Sequence, residues 1–159
     1  MTKENYQFED FLAEVNEEQK AAVAKIHESM TVSGYKNKVE KKASGFLIGY
    51  SHPKTKRSLC NLFFRKDGLQ ARIYAENHKQ YANFIDKLPE DMEKQVAKAV
   101  NCKRFQTPPG CSDTCSAGYD ISIRGNRYQK CRYSCFHFKA NKERLPLIAE
   151  FIELEKATR

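Results

Sequence analysis

Phe8, Phe11, Leu12 and Val15 recur at the three-to-four-residue spacing of an amphipathic helix, and Val23, Ile26 and Met30 repeat it further along. Asn16 followed by Gln19 predicts a capping box opening the second segment, and Gly34 predicts its stop. Two helices, or one kinked helix, are expected at the start of the chain. From residue 35 the apolar period drops to two. A lysine-rich stretch over 35–41 is followed by Phe46, Ile48 and Tyr50, then Cys60, Leu62 and Phe64, then Leu69, Ala71, Ile73 and Ala75. Alternation of this kind puts one face of each strand inward and predicts an antiparallel meander. The segment 51–56 and an Asp67-Gly68 turn are the expected connections, and the lysines of the first strand suit an exposed edge.

Helical spacing returns after residue 76. Asn77 with Gln80 predicts a second capping box ahead of Tyr81, Phe84, Ile85 and Leu88. Pro89 predicts another helix start, with Met92, Val96, Ala99 and Val100 facing inward and Glu90 and Asp91 at the positive end of the helix dipole. Residues 101–118 carry no period. Tyr119, Ile121 and Ile123 and the run Tyr128–Phe138 then predict a hairpin turning at Gly125-Asn126, and Leu145, Ile148 and Ile152 a final helix around Pro146–Lys156. The expected fold is α+β: an antiparallel meander plus a C-terminal hairpin, packed against N-terminal, central and C-terminal helices in a single domain over 1–159.

Composition changes this picture little. With 30% charged residues and no apolar run near the ~20 residues of a membrane-spanning helix, membrane classes are excluded. The segment Met1–Asn5 lacks the basic and apolar regions of a secretion signal, so a cytoplasmic, reducing setting is expected. Charge adds more. The net +8 divides into −4 over residues 1–30, from three Lys and seven Asp or Glu, and +12 over the remainder. Such a field favours polyanions, and Lys54, Lys56, Arg57, Arg124, Arg127, Lys130 and Arg132 are the candidate contacts to nucleic acid or another anion. Consecutive turns of a meander lie at opposite ends of a sheet, however, so one continuous basic stripe does not follow from the sequence.

The cysteines carry the sharper chemistry. Five of six lie between Cys102 and Cys135. In a reducing compartment such a cluster reads as metal-binding or redox-active before it reads as disulfides. Zinc–sulfur bonds of about 2.3 Å hold sulfurs within about 4 Å of one another, whereas residues four apart on a strand are about 13 Å apart. On one continuous strand Cys131 and Cys135 cannot share an ion. The candidate ligands are therefore Cys102, Cys111 and Cys115 with one strand cysteine, Cys131 being chosen as nearer the turn. Their spacing of eight, three and fifteen intervening residues matches no standard finger or ribbon, so unligated thiols, iron–sulfur and disulfide chemistry stay open beside zinc. Four thiolates leave no open coordination position, so the expected zinc is structural. Lys103, Arg104, Lys130 and Arg132 flank the ligands and favour the thiolate form.

Other residues weigh toward structure. Cys60 reads as a buried thiol, His52 as a loop histidine, and His137 as sharing a strand face with Cys135. Asp113 and Asp120 suggest no acid–base pair, and no phosphate-cradling loop, nucleophile elbow or zinc-protease motif occurs, so no catalytic centre is expected. The segments 50–57, 64–66, 72–74, Cys102-Lys103-Arg104 and 128–133 resemble a family of small bacterial proteins with a cysteine cluster. That resemblance implies cysteines matching Cys102, Cys111, Cys115 and Cys131, with no counterpart of Cys135. The order of elements also resembles the YdhG-like and YjbR-like α+β folds. Three functions are compatible: a domain binding a small molecule or protein in a pocket under the helices beside an exposed Tyr50 or Tyr74, a nucleic-acid-binding domain, or a thiol redox sensor.

Overall fold

The computed structural model describes residues 4–106, 110–111, 115 and 117–159. Helices α1 (Phe8–Ala13) and α2 (Glu17–Val32) open the chain. The period-two region forms β1 (Lys36–Lys42), β2 (Gly45–Ser51), β3 (Ser58–Arg65) and β4 (Gly68–Ile73), each antiparallel to the next. A 3-10 turn at His78–Tyr81 leads into α3 (Ala82–Asp86), and α4 (Glu90–Lys98) follows Pro89. The hairpin of β5 (Tyr119–Ile123) and β6 (Asn126–Lys130), the short β7 (His137–Lys139) and α5 (Leu145–Ala157) complete the fold. It is α+β, with a five-stranded sheet ordered β1-β2-β3-β4-β7 and a separate two-stranded sheet of β5 and β6. Among the described residues no helix is long and apolar enough to cross a membrane.

Strand register explains the alternation. Val39, Ile48, Leu62, Ala71 and Phe138 are paired in a row across the five strands, and all are buried. The neighbouring row, on the opposite face, is Lys38, Gly49, Asn61, Arg72 and His137. A sheet patterned this way covers one face with helices and leaves the other to solvent. Helix α1 packs on β2, α2 on β1 and α5, and α5 on β3. Phe151 of α5 meets the rings of Tyr81, Phe84, Phe136 and Phe138. Such ring pairs add about 0.5–1.5 kcal/mol each beyond burial. As expected, β1 is an edge: it pairs with β2, and on its other side the described residues offer a single bridge, Tyr6 to Val39.

Several local expectations are corrected. Neither Asn16 nor Asn77 caps a helix with its side chain. Asn77 instead spends its amide on Glu155 Oε2 (3.5 Å) and the Thr158 carbonyl (3.2 Å), a buried long-range partner outcompeting the local one. Helix α4 stops at Lys98 and Val100 is 60% exposed, so the inward stripe ends at Val96. The reason lies in residues 100–102, which run extended beside β6: Cys131 N donates to the Val100 carbonyl (2.8 Å) and Cys102 N to the Gln129 carbonyl (3.0 Å). The β3–β4 loop is Lys66-Asp67, with positive φ (114°) one position later at Gly68. The second hairpin turns at Arg124-Gly125, φ 52° and 82°, one residue earlier than predicted and with the double positive φ of a tight hairpin turn. Asp86 at the end of α3 holds that turn, its carbonyl accepting from Arg124 N (2.8 Å) and its carboxylate from Gly125 N (3.2 Å).

The largest correction concerns Tyr128–Phe138, which is not one strand. β6 ends at Lys130, and the chain turns through residues 131–136, with Cys135 N donating to the Cys131 carbonyl (2.9 Å). It then joins the other sheet as β7 beside β4. This crossing seats Phe136 and Phe138 in the main core, which a continuous strand paired only with β5 would not reach.

Candidate functional site

Cys102, Cys111, Cys115 and Cys131 line one cleft of about 200 Å³. Two of them are placed by the extended pairing just described, since residues 100–102 lie against the end of β6 and bring Cys102 beside Cys131. The chain returns past Gly118, whose N–H donates to Cys102 Sγ (3.2 Å). The Cys115 thiol has its pKa raised, first by desolvation, then by a hydrogen bond with Cys111 and by the nearby Cys131 and Cys102. Lys103, Arg104 and Arg132 line the same cleft. Among the described residues, however, no group of three or more His, Cys, Asp or Glu side chains stands in metal-holding geometry. The cleft therefore matches zinc in donor type and number but not in preset geometry. Asp113 lies outside the described residues.

The ground for setting aside Cys135 changes. Because the chain turns between Cys131 and Cys135, strand spacing no longer separates them. Burial does: Cys135 is fully enclosed in the core, its thiol pKa pushed up mainly by that burial, while Cys131 faces the cleft. His137 does not share a strand face with Cys135; it sits on β7 with its ring edge-on to Phe63 at 5.1 Å. Cys60 is buried and its thiol is pushed up to about 12 by desolvation. His52 uses Nδ1 to accept from Lys54 N (3.1 Å) and Thr55 N (3.2 Å), holding the β2–β3 loop.

The seven basic candidates do not form one surface of free cations. Lys54 and Lys56 are exposed on the β2–β3 loop. Arg127 forks onto Asp120 (2.9 and 2.6 Å), and chiefly through that fork the Asp120 carboxyl is pulled down to about 2. Arg124 lies 3.6 Å from Glu93. Lys130 is buried, donating to the Ala97 carbonyl (3.0 Å), the Ala99 carbonyl (3.1 Å) and Asn101 Oδ1 (2.8 Å). Its ammonium thus closes the C-terminus of α4, where a cation is favoured by the helix dipole. Lys130→Met is expected to cost about 1–3 kcal/mol in urea unfolding, because those acceptors lose their donor inside the protein. Arg57 and Arg132 do converge, both on Glu76 Oε1, at 2.8 and 3.2 Å.

Tyr50 and Tyr74 are not the exposed rings expected beside a pocket. Tyr50 is buried with its hydroxyl 2.8 Å from His27 Nδ1, and Tyr74 is buried with the Arg132 guanidinium 5.7 Å above its ring. The convergence of Arg57 and Arg132 is the feature that sequence reasoning missed, since Glu76, the residue that joins them, carried no local signal. Comparison with family models, curated proteins and solved structures finds no match.

Proposed function

We propose that this chain is a cytoplasmic small-ligand-binding domain whose C-terminal third is tied together by one structural zinc ion held by Cys102, Cys111, Cys115 and Cys131. The observation that carries the metal reading is that these four thiols, drawn from three separate stretches of chain, line a single cleft. Four cysteines supply the closed, all-sulfur donor set of structural zinc and leave no position for a substrate. The site would join the segment after α4, the loop before β5 and the end of β6. That placement gives it a mechanical role, because residues 101–118 hold only the bridge from Asn101 to Lys130 and a 3-10 turn at Lys103–Phe105 among their described residues.

Elemental analysis of the purified chain beside Cys131→Ser tests this. About one zinc per chain is expected, lost in the variant together with thermal stability, because zinc affinity is folding free energy in such sites. Metal-free protein that is fully folded would sink the zinc reading. Stoichiometric iron in place of zinc would reassign the metal.

A further inference from the structure

Arg57, Glu76, His78, Tyr119 and Arg132 line a second cavity of about 300 Å³, next to the cysteine cleft and sharing Gly118 and Arg132 with it. Two guanidinium groups meet one carboxylate oxygen there, Arg57 Nε at 2.8 Å and Arg132 Nη2 at 3.2 Å from Glu76 Oε1. One positive charge is left over. The next cation, Arg159, does not alter this balance, since Glu155 accepts from its Nε (2.9 Å).

Unsatisfied polar atoms concentrate at the same place. Among the described residues, the buried side-chain nitrogen and oxygen atoms without a hydrogen-bond partner are Tyr35 OH, Arg72 Nε, His78 Nε2, Tyr119 OH and Arg132 Nε, and the last three belong to residues that line this cavity. Buried polar groups are almost always paired, so orphans gathered around one cavity mark a place where a partner belongs. Tyr119 is only 4% exposed, and its ring stands edge-on to His78 at 5.4 Å. Arg132 is held by cation–π contacts to Tyr74 and Tyr133, both at 5.7 Å. The donors are thus fixed in advance. Their chemistry is specific: Arg132 Nε–H and Tyr119 O–H donate, whereas His78, whose Nδ1 donates to the Ala75 carbonyl (3.0 Å), offers Nε2 as an acceptor in its neutral form.

We propose that this cavity binds a small oxyanion, a carboxylate or a phosphate, with its charged oxygen set against Arg57, Arg132 and Tyr119 and a hydroxyl donating to His78 Nε2. The proposal rests on the ligand-binding reading above and names the ligand class. Hydrogen phosphate and 2-hydroxycarboxylates both combine an anionic oxygen with an adjacent hydroxyl. The cavity is of small-ligand size, at the lower end of the range for such pockets. A polyanion would engage the exposed Lys54 and Lys56 instead.

Isothermal titration in chloride buffer with inorganic phosphate, lactate and acetate, with zinc content measured on the same sample, tests the site. Saturable one-site binding of phosphate or lactate is expected, with acetate, which lacks the hydroxyl, about fivefold weaker or more. Tyr119→Phe is expected to change the thermal midpoint of the ligand-free protein little, because the O–H has no acceptor there and its oxygen meets only the Ala75 backbone, and to weaken binding at least about fivefold. Arg57→Gln should weaken it by about tenfold. Absence of saturable binding to both phosphate and lactate, or affinity unchanged in both variants, overturns the proposal. Zinc without anion binding removes this site alone; anion binding without zinc removes the metal reading alone.

Discussion

Glu155→Ala is expected to lower the free energy of unfolding by about 3–5 kcal/mol, the range for breaking a buried ion pair by deleting one partner. Glu155 is completely buried on the core side of α5. Its Oε1 accepts from Tyr81 OH (2.7 Å) and Asn77 N (2.9 Å), and its Oε2 from Arg159 Nε (2.9 Å). Arg159, its side chain 6% exposed, passes the connection on to the Tyr74 carbonyl (2.9 Å) and the Arg57 carbonyl (3.3 Å). One carboxylate therefore fastens the last helix to the segment after β4 and to the β2–β3 loop. Alanine would strand a guanidinium, a tyrosine hydroxyl and a backbone N–H inside the protein, and each uncompensated group adds to the loss. Glu155→Gln keeps an acceptor but loses the charge, and should fall between wild type and alanine. Urea unfolding with unchanged slope measures both. A loss under about 1 kcal/mol for alanine would show that water replaces the carboxylate and that the network is not closed.

That network also shows where sequence reading runs out. Ile148 and Ile152 identify the inner face of α5, and Glu155 stands seven residues after Ile148, on the same stripe. A carboxylate at an apolar position was a visible signal; its partners were not, because Asn77 and Tyr81 lie more than seventy residues away in the chain. The meander was legible because a period of two survives wherever one face is buried, as in the row from Val39 to Phe138. The run Tyr128–Phe138 misled for a related reason. Consecutive buried residues such as Cys135 and Phe136 fit a buried strand and a tight turn equally well, and only the second sheet decides between them. Both helical segments start where the sequence puts them, directly after Asn16 and Asn77, but neither side chain caps its helix, because a capping pattern states what a side chain can do locally and nothing of competing partners. That Cys102, Cys111, Cys115 and Cys131 line one cleft agrees with the set chosen from the sequence, although one premise was wrong: Cys131 and Cys135 are parted by burial, not by strand length.

Gly118→Ala is the substitution expected to damage the cysteine cleft most directly. A Cβ at this position would collide with the Lys130 carbonyl oxygen and stand 3.1 Å from Cys102 Cβ. Neither neighbour is a flexible side-chain end. The Lys130 carbonyl belongs to the last residue of β6, and Cys102 is held by its own N–H on the Gln129 carbonyl (3.0 Å). Relief therefore requires the returning chain to move away from β6, which also breaks the Gly118 N–H bond to Cys102 Sγ. Overpacking of this kind costs about 1–3 kcal/mol, and more where backbone is the obstacle. The displaced segment connects the cleft to β5, so the variant should lose stability together with the zinc proposed for this cleft, and all three of Cys102, Cys111 and Cys115 should react with a thiol reagent without denaturant. Gly110→Ala provides the comparison, because among the described residues its Cβ would meet nothing closer than Lys103 Cβ at 3.4 Å, an ordinary contact. If both variants unfold at the wild-type urea midpoint, the close approach at Gly118 does not constrain the fold. If only Gly118→Ala is destabilised and its zinc content is unchanged, the return past Cys102 supports the hairpin rather than the thiol site.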